Sequence, residues 1–173
     1  MSDRDAEFGE YLDSRAVVIR RTAYLLSGGD WHRAEDLVQT TLAKIYVAWP
    51  RLNRAGNVDA YARKVMVRTA IDESRRAFRR RENVVGDLPE IGVPPAGVDD
   101  ALDVRRALAQ LPPGQRAVVV LRYWEDLSVA ETAQALGKSE GTIKSQASKG
   151  LAALRQLLAA GRVALEGSPC PTT

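Results

Sequence analysis

The sequence predicts an all-α protein made of two small helical domains that a flexible linker joins. Apolar residues recur at helical spacing through most of the chain. The aromatic content is 6%, which is low for a β-rich protein. A stretch rich in glycine and proline divides the chain near its middle. With 173 residues, of which 45% are hydrophobic, the chain is long enough to bury one ordinary core or two small ones.

Two helices are predicted before residue 50. The first has an apolar stripe of Phe8, Leu12, Ile19, Ala23 and Leu26. The sequence "SGGD" should end it, because it combines two glycines with a capping residue. The second helix should end at Pro50. Its continuous apolar stripe comprises Ala34, Leu37, Val38, Thr41, Leu42, Ile45, Tyr46 and Trp49.

The opposite face of the second helix is polar and slightly acidic. It carries Glu35, Asp36, Gln39 and Thr40. Taken alone, such a face is typical of a helix surface in contact with water. The three tryptophans, Trp31, Trp49 and Trp124, are predicted to be core or near-core anchors.

A third helix is predicted from about Val58 to Arg81, and it is strongly basic at its end. Lys64, Arg68, Arg75 and Arg79 are spaced by four, seven and four residues, which places them in one narrow sector of the helix. Such a stripe matches a row of phosphates, although the run "RRAFRRR" by itself is equally compatible with a solvated face. Candidates for the buried side are Tyr61, Ala62, Val65, Thr69 and Phe78.

The stretch "RENVVGDLPEIGVPPAGVDD" has three glycines, three prolines and no helical period, so it is predicted to be the linker. The predicted domains are therefore residues 1–80 and 101–160, with a linker over 81–100 and a tail over 161–173. The second domain should contain four helices. Residues 118–121 could be a buried strand, but a lone strand would have no partner.

Residues 128–155 have the pattern of a helix-turn-helix. Ser128 and Glu131 fit a capping box, Gly137 suits the left-handed turn, and Ser139 caps the second helix. Ala130, Ala133 and Leu136 should pack inward on the first helix, and Ile143, Ala147, Leu151 and Leu154 on the second. The outward side, able to hydrogen-bond bases and phosphates, carries Thr142, Lys144, Ser145, Ser148 and Lys149. An αα-hairpin with no DNA role is the alternative at this point.

Composition excludes several other functions. The single cysteine, Cys170, and the single histidine, His32, allow neither an internal disulfide nor a Cys/His zinc cluster, so no metal or cofactor is expected. No apolar run is long enough to cross a membrane, and the polar N-terminus is unlike a signal peptide. The expected location is the cytoplasm.

One long segment of the second half resembles the promoter-reading domain of the extracytoplasmic-function (ECF) sigma factors, within the bacterial sigma-70 family. That segment is "LPPGQRAVVVLRYWEDLSVAETAQALGKSEGTIKSQASKGLAALR". In the first half, "AEDLVQTTLAKIY" resembles the polymerase-docking segment and "DAYARKVMVRTAIDESRR" the minus-10 segment. The resemblance spans roughly residues 8–158. Two motif sets in the right order are far more specific than a helix-turn-helix alone. The predicted domains then correspond to sigma region 2 and sigma region 4.

The resemblance implies partners and site residues. Asp36, Gln39 and Thr40 would contact the clamp helices of the largest subunit of core RNA polymerase, and the β flap would be a second polymerase contact. A loop over residues 52–57, including Asn53 and Asn57, would hold a flipped base. Minus-10 phosphates would be bound by Lys64, Arg68, Arg75, Arg76 and Arg79, and the minus-35 element would be read by Lys144, Ser145, Ser148 and Lys149. An anti-sigma factor is a further partner that the family implies.

The sequence leaves two alternative functions to compare with this one. A stand-alone helix-turn-helix regulator would need a dimerisation or effector domain in the first half, where the sequence instead has a basic stripe and a polar face. A nucleic-acid enzyme would need a catalytic set or a phosphate-cradling glycine loop, and neither pattern occurs. The sequence therefore predicts a non-enzymatic factor that binds core polymerase and promoter DNA and directs initiation.

Overall fold

The structure is a computed structural model that describes residues 3–82 and 100–166. All seven α-helices of this part follow one another without a strand between them. In chain order they are α1 (Asp3–Leu26), α2 (Trp31–Ala55), α3 (Val58–Glu82), α4 (Asp100–Gln110), α5 (Pro113–Val119), α6 (Val129–Leu136) and α7 (Glu140–Glu166). A π-helical turn, Val120–Trp124, continues α5. Most of the predicted linker and the end of the tail lie outside the described residues.

The turn between α1 and α2 has the predicted chemistry. Gly28 and Gly29 have positive φ values of 68° and 81°, which glycine adopts without a steric penalty. Asp30 is the N-cap of α2, and its carboxylate accepts a hydrogen bond of 3.1 Å from the backbone nitrogen of Arg33. The first break in helical periodicity is therefore a true helix boundary.

The predicted end of the second helix at Pro50 is wrong, because α2 continues to Ala55. Proline has no N–H, so the backbone oxygen of Tyr46, four residues earlier, loses its helical donor. The guanidinium of Arg4 on α1 donates to that oxygen instead. The helix ends at Gly56, which has φ 66° and bonds back to the oxygen of Asn53 at 3.3 Å.

Several aromatic side chains are placed differently from the sequence prediction. Trp49 is a core residue with 3% exposure, but Trp31 and Trp124 are 58% and 53% exposed. Trp31 stacks on Tyr24 with ring centroids 4.2 Å apart, at the surface. Phe78, expected on the buried side of α3, is 64% exposed. Helical periodicity gave the direction of these side chains but not whether another element covers them.

The second half contains the expected four helical segments. Residues 118–121 lie on α5 and its π-helical continuation, and each is less than 9% exposed. They are fully buried because α7 packs along α5 at close range: a Cβ added to Gly150 would lie 2.7 Å from Cγ2 of Val119. Of the inward positions expected on α6, Ala133 is buried while Ala130 is exposed.

The two halves, residues 3–82 and 100–166, share one hydrophobic core. Leu37 and Val67 of the first half belong to the same buried cluster as Leu121 and Leu127 of the second. Burial of apolar surface against the other half stabilises this arrangement. A smaller cluster around Ile45, Trp49, Leu52 and Ala62 lies wholly within the first half, and another around Val118 and Ile143 within the second.

Polar contacts also join the halves. Glu125, in the turn after the π-helical segment, accepts hydrogen bonds from the hydroxyl of Thr22 and, at 3.3 Å, from Nε of Arg63. Its side chain is 9% exposed. Arg116 donates to four backbone oxygens, one of which, that of Leu26 at 3.1 Å, belongs to the first half. The other three are the oxygens of Leu108, Ala109 and Leu111 at 2.9, 2.7 and 3.0 Å.

Candidate nucleic-acid interface

The α6–turn–α7 unit has the hydrogen bonds that fix a helix-turn-helix. Ser128 Oγ accepts from the backbone nitrogen of Glu131 at 3.1 Å, and the Glu131 carboxylate accepts from the backbone nitrogen of Ser128 at 2.8 Å. The backbone bond, followed by the side-chain bond, lowers the pKa of Glu131. Gly137 has φ 63°, and Ser139 Oγ accepts from the nitrogen of Thr142 at 3.2 Å. The predicted capping box, turn and second cap are confirmed.

Helix α7 divides into a buried and an exposed face. Ile143, Ala147 and Leu154 are buried at 0%, 8% and 9% exposure, as expected for the inward side. Gly150 is also buried, which lets α7 approach α5 closely. The five predicted minus-35 residues all have exposed side chains on one surface: Thr142, Lys144, Ser145, Ser148 and Lys149. Thr142 also shares a hydrogen bond of 2.9 Å with Ser139.

The polar face of α2 is open to solvent. Asp36 and Gln39 are exposed and Thr40 is half-buried. Glu73 of α3 lies near this face, and partial burial raises its pKa, an effect that Arg33 opposes and Asp36 reinforces. The face therefore presents carboxylates beside hydroxyl and amide groups, a composition suited to a polar protein interface.

The basic stripe of α3 is exposed along its whole length. Its predicted members, Lys64, Arg68, Arg75 and Arg79, all have exposed side chains, and so does Arg76, the further predicted minus-10 contact on this helix. The predicted loop over residues 52–57 is corrected: residues 52–55 belong to α2 and Leu52 is 5% exposed. Asn53 lies on the helix, where its amide donates to Glu7 Oε2 at 2.8 Å. Asn57 is exposed in the turn, beside the start of α3.

The helix-turn-helix lies against the basic stripe. A Cβ added to Gly137 would meet Nη2 of Arg68 at 2.9 Å. A groove of about 340 Å³ runs between the two units, lined by Asn57, Lys64, Glu131 and Gln134 among others. The structure thus brings the start of the predicted minus-10 surface next to the turn that presents the minus-35 surface.

Three residues with notable positions were not assigned a functional role from the sequence. Arg116 and Glu125 contact the other half of the chain, and Phe78 is an exposed aromatic ring inside the basic stripe. The first two looked like ordinary charged residues of a helix surface. Only Phe78 gave a local signal, because an aromatic residue inside a run of arginines is unusual for a merely solvated face.

Within residues 3–82 and 100–166, no helix is long and apolar enough to cross a bilayer. The same ranges contain no group of three or more histidine, cysteine, aspartate or glutamate side chains arranged to hold a metal ion.

Comparisons with known proteins agree with this arrangement. The family model "Sigma-70 region 2" matches residues 13–81, and "Sigma-70, region 4" matches residues 101–154. The RNA polymerase sigma-E factor of Streptomyces coelicolor is 42% identical over 159 residues, covering 89% of this chain and 87% of that protein. ECF RNA polymerase sigma factor SigL of Mycobacterium tuberculosis is 38% identical over 156 residues, covering 84% and 85% of the two chains.

A solved structure has a similar fold. The sigma factor RpoE of Bartonella quintana, crystallised with the anti-sigma factor NepR, superposes with a TM-score of 0.72 at 27% identity, covering 88% of this chain and 96% of that one. The fold and the two matched regions define a two-part helical transcription factor of the sigma-70 type. The chain belongs to the sigma-70 family, and its relatives place it in the ECF group.

Proposed function

We propose that this chain binds core RNA polymerase and directs it to promoters by reading a minus-35 and a minus-10 element. The observation that carries the proposal is that each matched sigma region exposes a surface suited to DNA, the arginines and lysine of α3 in one and the lysines and hydroxyls of α7 in the other. The chain acts through binding and carries out no reaction of its own. Its partners are core polymerase and promoter DNA, and its place of action is the cytoplasm. The domain division at residues 1–80, 81–100, 101–160 and 161–173 is part of this proposal.

The docking surface is the polar face of α2. Asp36 and Gln39 are exposed there, with Thr40 half-buried beside them. These groups would meet the clamp helices of the largest polymerase subunit. The β flap would contact the second half of the chain.

The minus-10 surface is the basic stripe of α3. The phosphates of the opened minus-10 strand would be bound by the exposed basic side chains of this helix. These are Lys64, Arg68, Arg75, Arg76 and Arg79. Asn57 would contribute to the pocket for an extruded base, since it is exposed beside the start of α3. Asn53 would take part only after its bond to Glu7 is exchanged. Holding the unpaired strand favours DNA opening, because it offsets part of the cost of unstacking.

The minus-35 surface is the first half of α7. The N-terminal end of a recognition helix enters the major groove and contacts base edges. Lys144 and Lys149 would bind phosphates or guanine edges, while Ser145 and Ser148 would hydrogen-bond bases. Thr142, already bonded to Ser139, would position the start of the helix as well as contact DNA. An anti-sigma factor is a further proposed partner, supported by the complex in which the similar RpoE was solved.

Run-off transcription with core polymerase on a genomic fragment library tests this function. The wild-type chain should give discrete transcripts that core polymerase alone does not. Replacing both Lys144 and Lys149 by alanine should weaken these transcripts about tenfold or more, because two charge-assisted contacts are removed.

The matched control is the double variant Arg21→Ala with Arg105→Ala, which removes the same charge from exposed positions on α1 and α4 outside the three proposed contact surfaces. It should transcribe like the wild type. If this protein instead binds DNA as a homodimer and without polymerase, it is a stand-alone regulator and the proposal is wrong.

A further inference from the structure

A wide apolar groove lies where the two halves of the chain meet. Its volume is about 760 Å³, and pockets that bind small molecules measure about 300 to 1,000 Å³. The end of α1 and the start of α2 form one wall, and α4, α5 with its π-helical continuation, and α7 form the other. Aliphatic and aromatic side chains make up most of both walls, including Leu25, Leu108, Val120 and Leu154.

Several large apolar side chains are exposed around this groove. Trp31, Tyr123 and Trp124 are 58%, 54% and 53% exposed, and Val104 is 40% exposed. All four line the groove. A single exposed apolar residue is ordinary on a protein surface, but several gathered at one concave surface are typical of a place where a ligand or partner binds.

The backbone beside the groove is also unusual. The segment Val120–Trp124 is a π-helical turn, and Val120, Tyr123 and Trp124 line the groove. Such turns are rare and occur frequently at functional sites. Here Val120 and Leu121 are buried, whereas Tyr123 and Trp124 are turned onto the surface. The π-helical turn is therefore a second observation, independent of the groove's shape, that indicates a binding site.

The charge of the groove is positive. Within the described part of the chain, Arg21 and Arg105 are its only charged lining residues, and both are exposed. The guanidinium carbon of Arg105 lies 5.7 Å from the centroid of the Tyr24 ring, so a cation lies at the edge of the aromatic wall. An anionic group at this edge is attracted by both arginines, while a cationic group is repelled.

We propose that the groove binds an amphipathic small molecule of the fatty-acid class. The apolar chain lies against the aliphatic and aromatic walls, and the carboxylate is bound by Arg21 and Arg105. Because the walls come from both halves of the chain, a bound ligand favours the state in which the halves are packed together. The site is separate from the three surfaces proposed to contact polymerase and DNA, so this proposal does not rest on the proposed function.

Isothermal titration calorimetry of the full chain with decanoate, below the concentration at which decanoate forms micelles, tests the proposal. The wild type should bind decanoate about tenfold more tightly than decanol, which has the same chain without the charge. The double variant Arg21→Ala with Arg105→Ala should bind both compounds equally, with the wild-type affinity for decanol. Trp124→Ala should weaken the binding of both compounds about threefold or more and keep their ratio, because it removes apolar surface alone.

The matched control is Arg51→Ala with Arg54→Ala, which removes the same charge from exposed positions on α2, about 30 Å along the helix from Trp31. It should bind decanoate like the wild type. Equal wild-type affinity for decanoate and decanol, or no binding of either, would overturn the proposal. Loss of helical circular dichroism during the titration would indicate detergent action and would overturn it too. Binding of an acidic amphipathic peptide without binding of decanoate would make the groove a protein-docking site instead.

Discussion

At the scale of single residues, Arg116 shows how a charged side chain can be buried with backbone oxygens, and no acidic side chain of the described residues, as its partners. Its guanidinium donates to the oxygens of Leu108, Ala109, Leu111 and Leu26. These lie at the ends of α4 and α1, where helix carbonyls carry partial negative charge and lack the usual donor four residues later. The oxygen of Leu108 also accepts from the backbone nitrogen of Leu111 at 3.1 Å. One side chain therefore caps two helices and ties one half of the chain to the other.

Replacing Arg116 by methionine should lower the free energy of unfolding by about 3 kcal/mol or more. The change leaves several carbonyl oxygens without a donor, and each buried unsatisfied group costs about 1 to 3 kcal/mol. Urea denaturation followed by circular dichroism measures the effect. Arg21→Met on the exposed surface of α1 is the control and should change stability by less than about 0.5 kcal/mol. Equal stability of the two variants would show that the four bonds contribute nothing.

At the scale of helices, α2 combines a structural and a functional face. Its buried stripe includes Leu37, Ile45 and Trp49, while Asp36 and Gln39 lie on the open side. Continuation through Pro50 lengthens both faces by more than a turn, because Arg4 replaces the missing donor. A rigid helix supported by a core presents a flat polar surface with little entropy left to lose on binding.

Reversing the charge of Asp36 to lysine should weaken binding to core polymerase about tenfold or more, while the thermal stability stays the same. The residue is exposed, so the fold loses little, whereas a like charge facing a complementary surface is unfavourable. Fluorescence titration of labelled protein with core polymerase gives the affinity. Glu10→Lys makes the same charge reversal on an exposed position of α1 and should bind normally. Normal binding by the Asp36 variant as well would remove this face from the docking proposal.

At the scale of the whole molecule, the two halves packed on one shared core are too close together for the chain to contact both promoter elements at once. The minus-35 and minus-10 elements are separated by about 25 base pairs, which is roughly 85 Å at 3.4 Å per base pair. A compact chain of this length has a radius of gyration of about 16 Å. The two proposed DNA-binding surfaces can therefore reach their elements together only if the halves separate. The bonds of Glu125 to Thr22 and Arg63 oppose that separation.

Replacing Glu125 by alanine should shift the free protein toward separated halves. The change removes the acceptor of both cross-half bonds, and the expected result is a larger radius of gyration by small-angle X-ray scattering with unchanged helix content. Arg63→Ala should act in the same direction but less, since it leaves the bond from Thr22. The double variant Glu125→Ala with Arg63→Ala should differ little from Glu125→Ala, because loss of Glu125 already breaks the bond that Arg63 makes. Identical scattering from wild type and Glu125→Ala would show that these bonds do not hold the halves together.

The sequence by itself determined the helical class, the break at Gly28 and Gly29, the capping box at Ser128 and the outward face of α7. Each of these depends on spacing or on groups within a few residues, so each can be deduced from local chemistry. The position of the exposed stripe on α3 followed for the same reason.

Tertiary structure alone decided which faces are covered. Helix α2 continues past Pro50, where Leu52 packs into the core and Arg4, 42 residues from Tyr46, donates to the backbone oxygen that the proline leaves free. Phe78 is exposed because no described helix packs over it, although its helical phase resembles that of a buried residue. Glu125 bonds to Thr22 across 103 residues. Such contacts depend on how elements distant in sequence fit together in space, and the local periodicity of a helix carries no record of its neighbours.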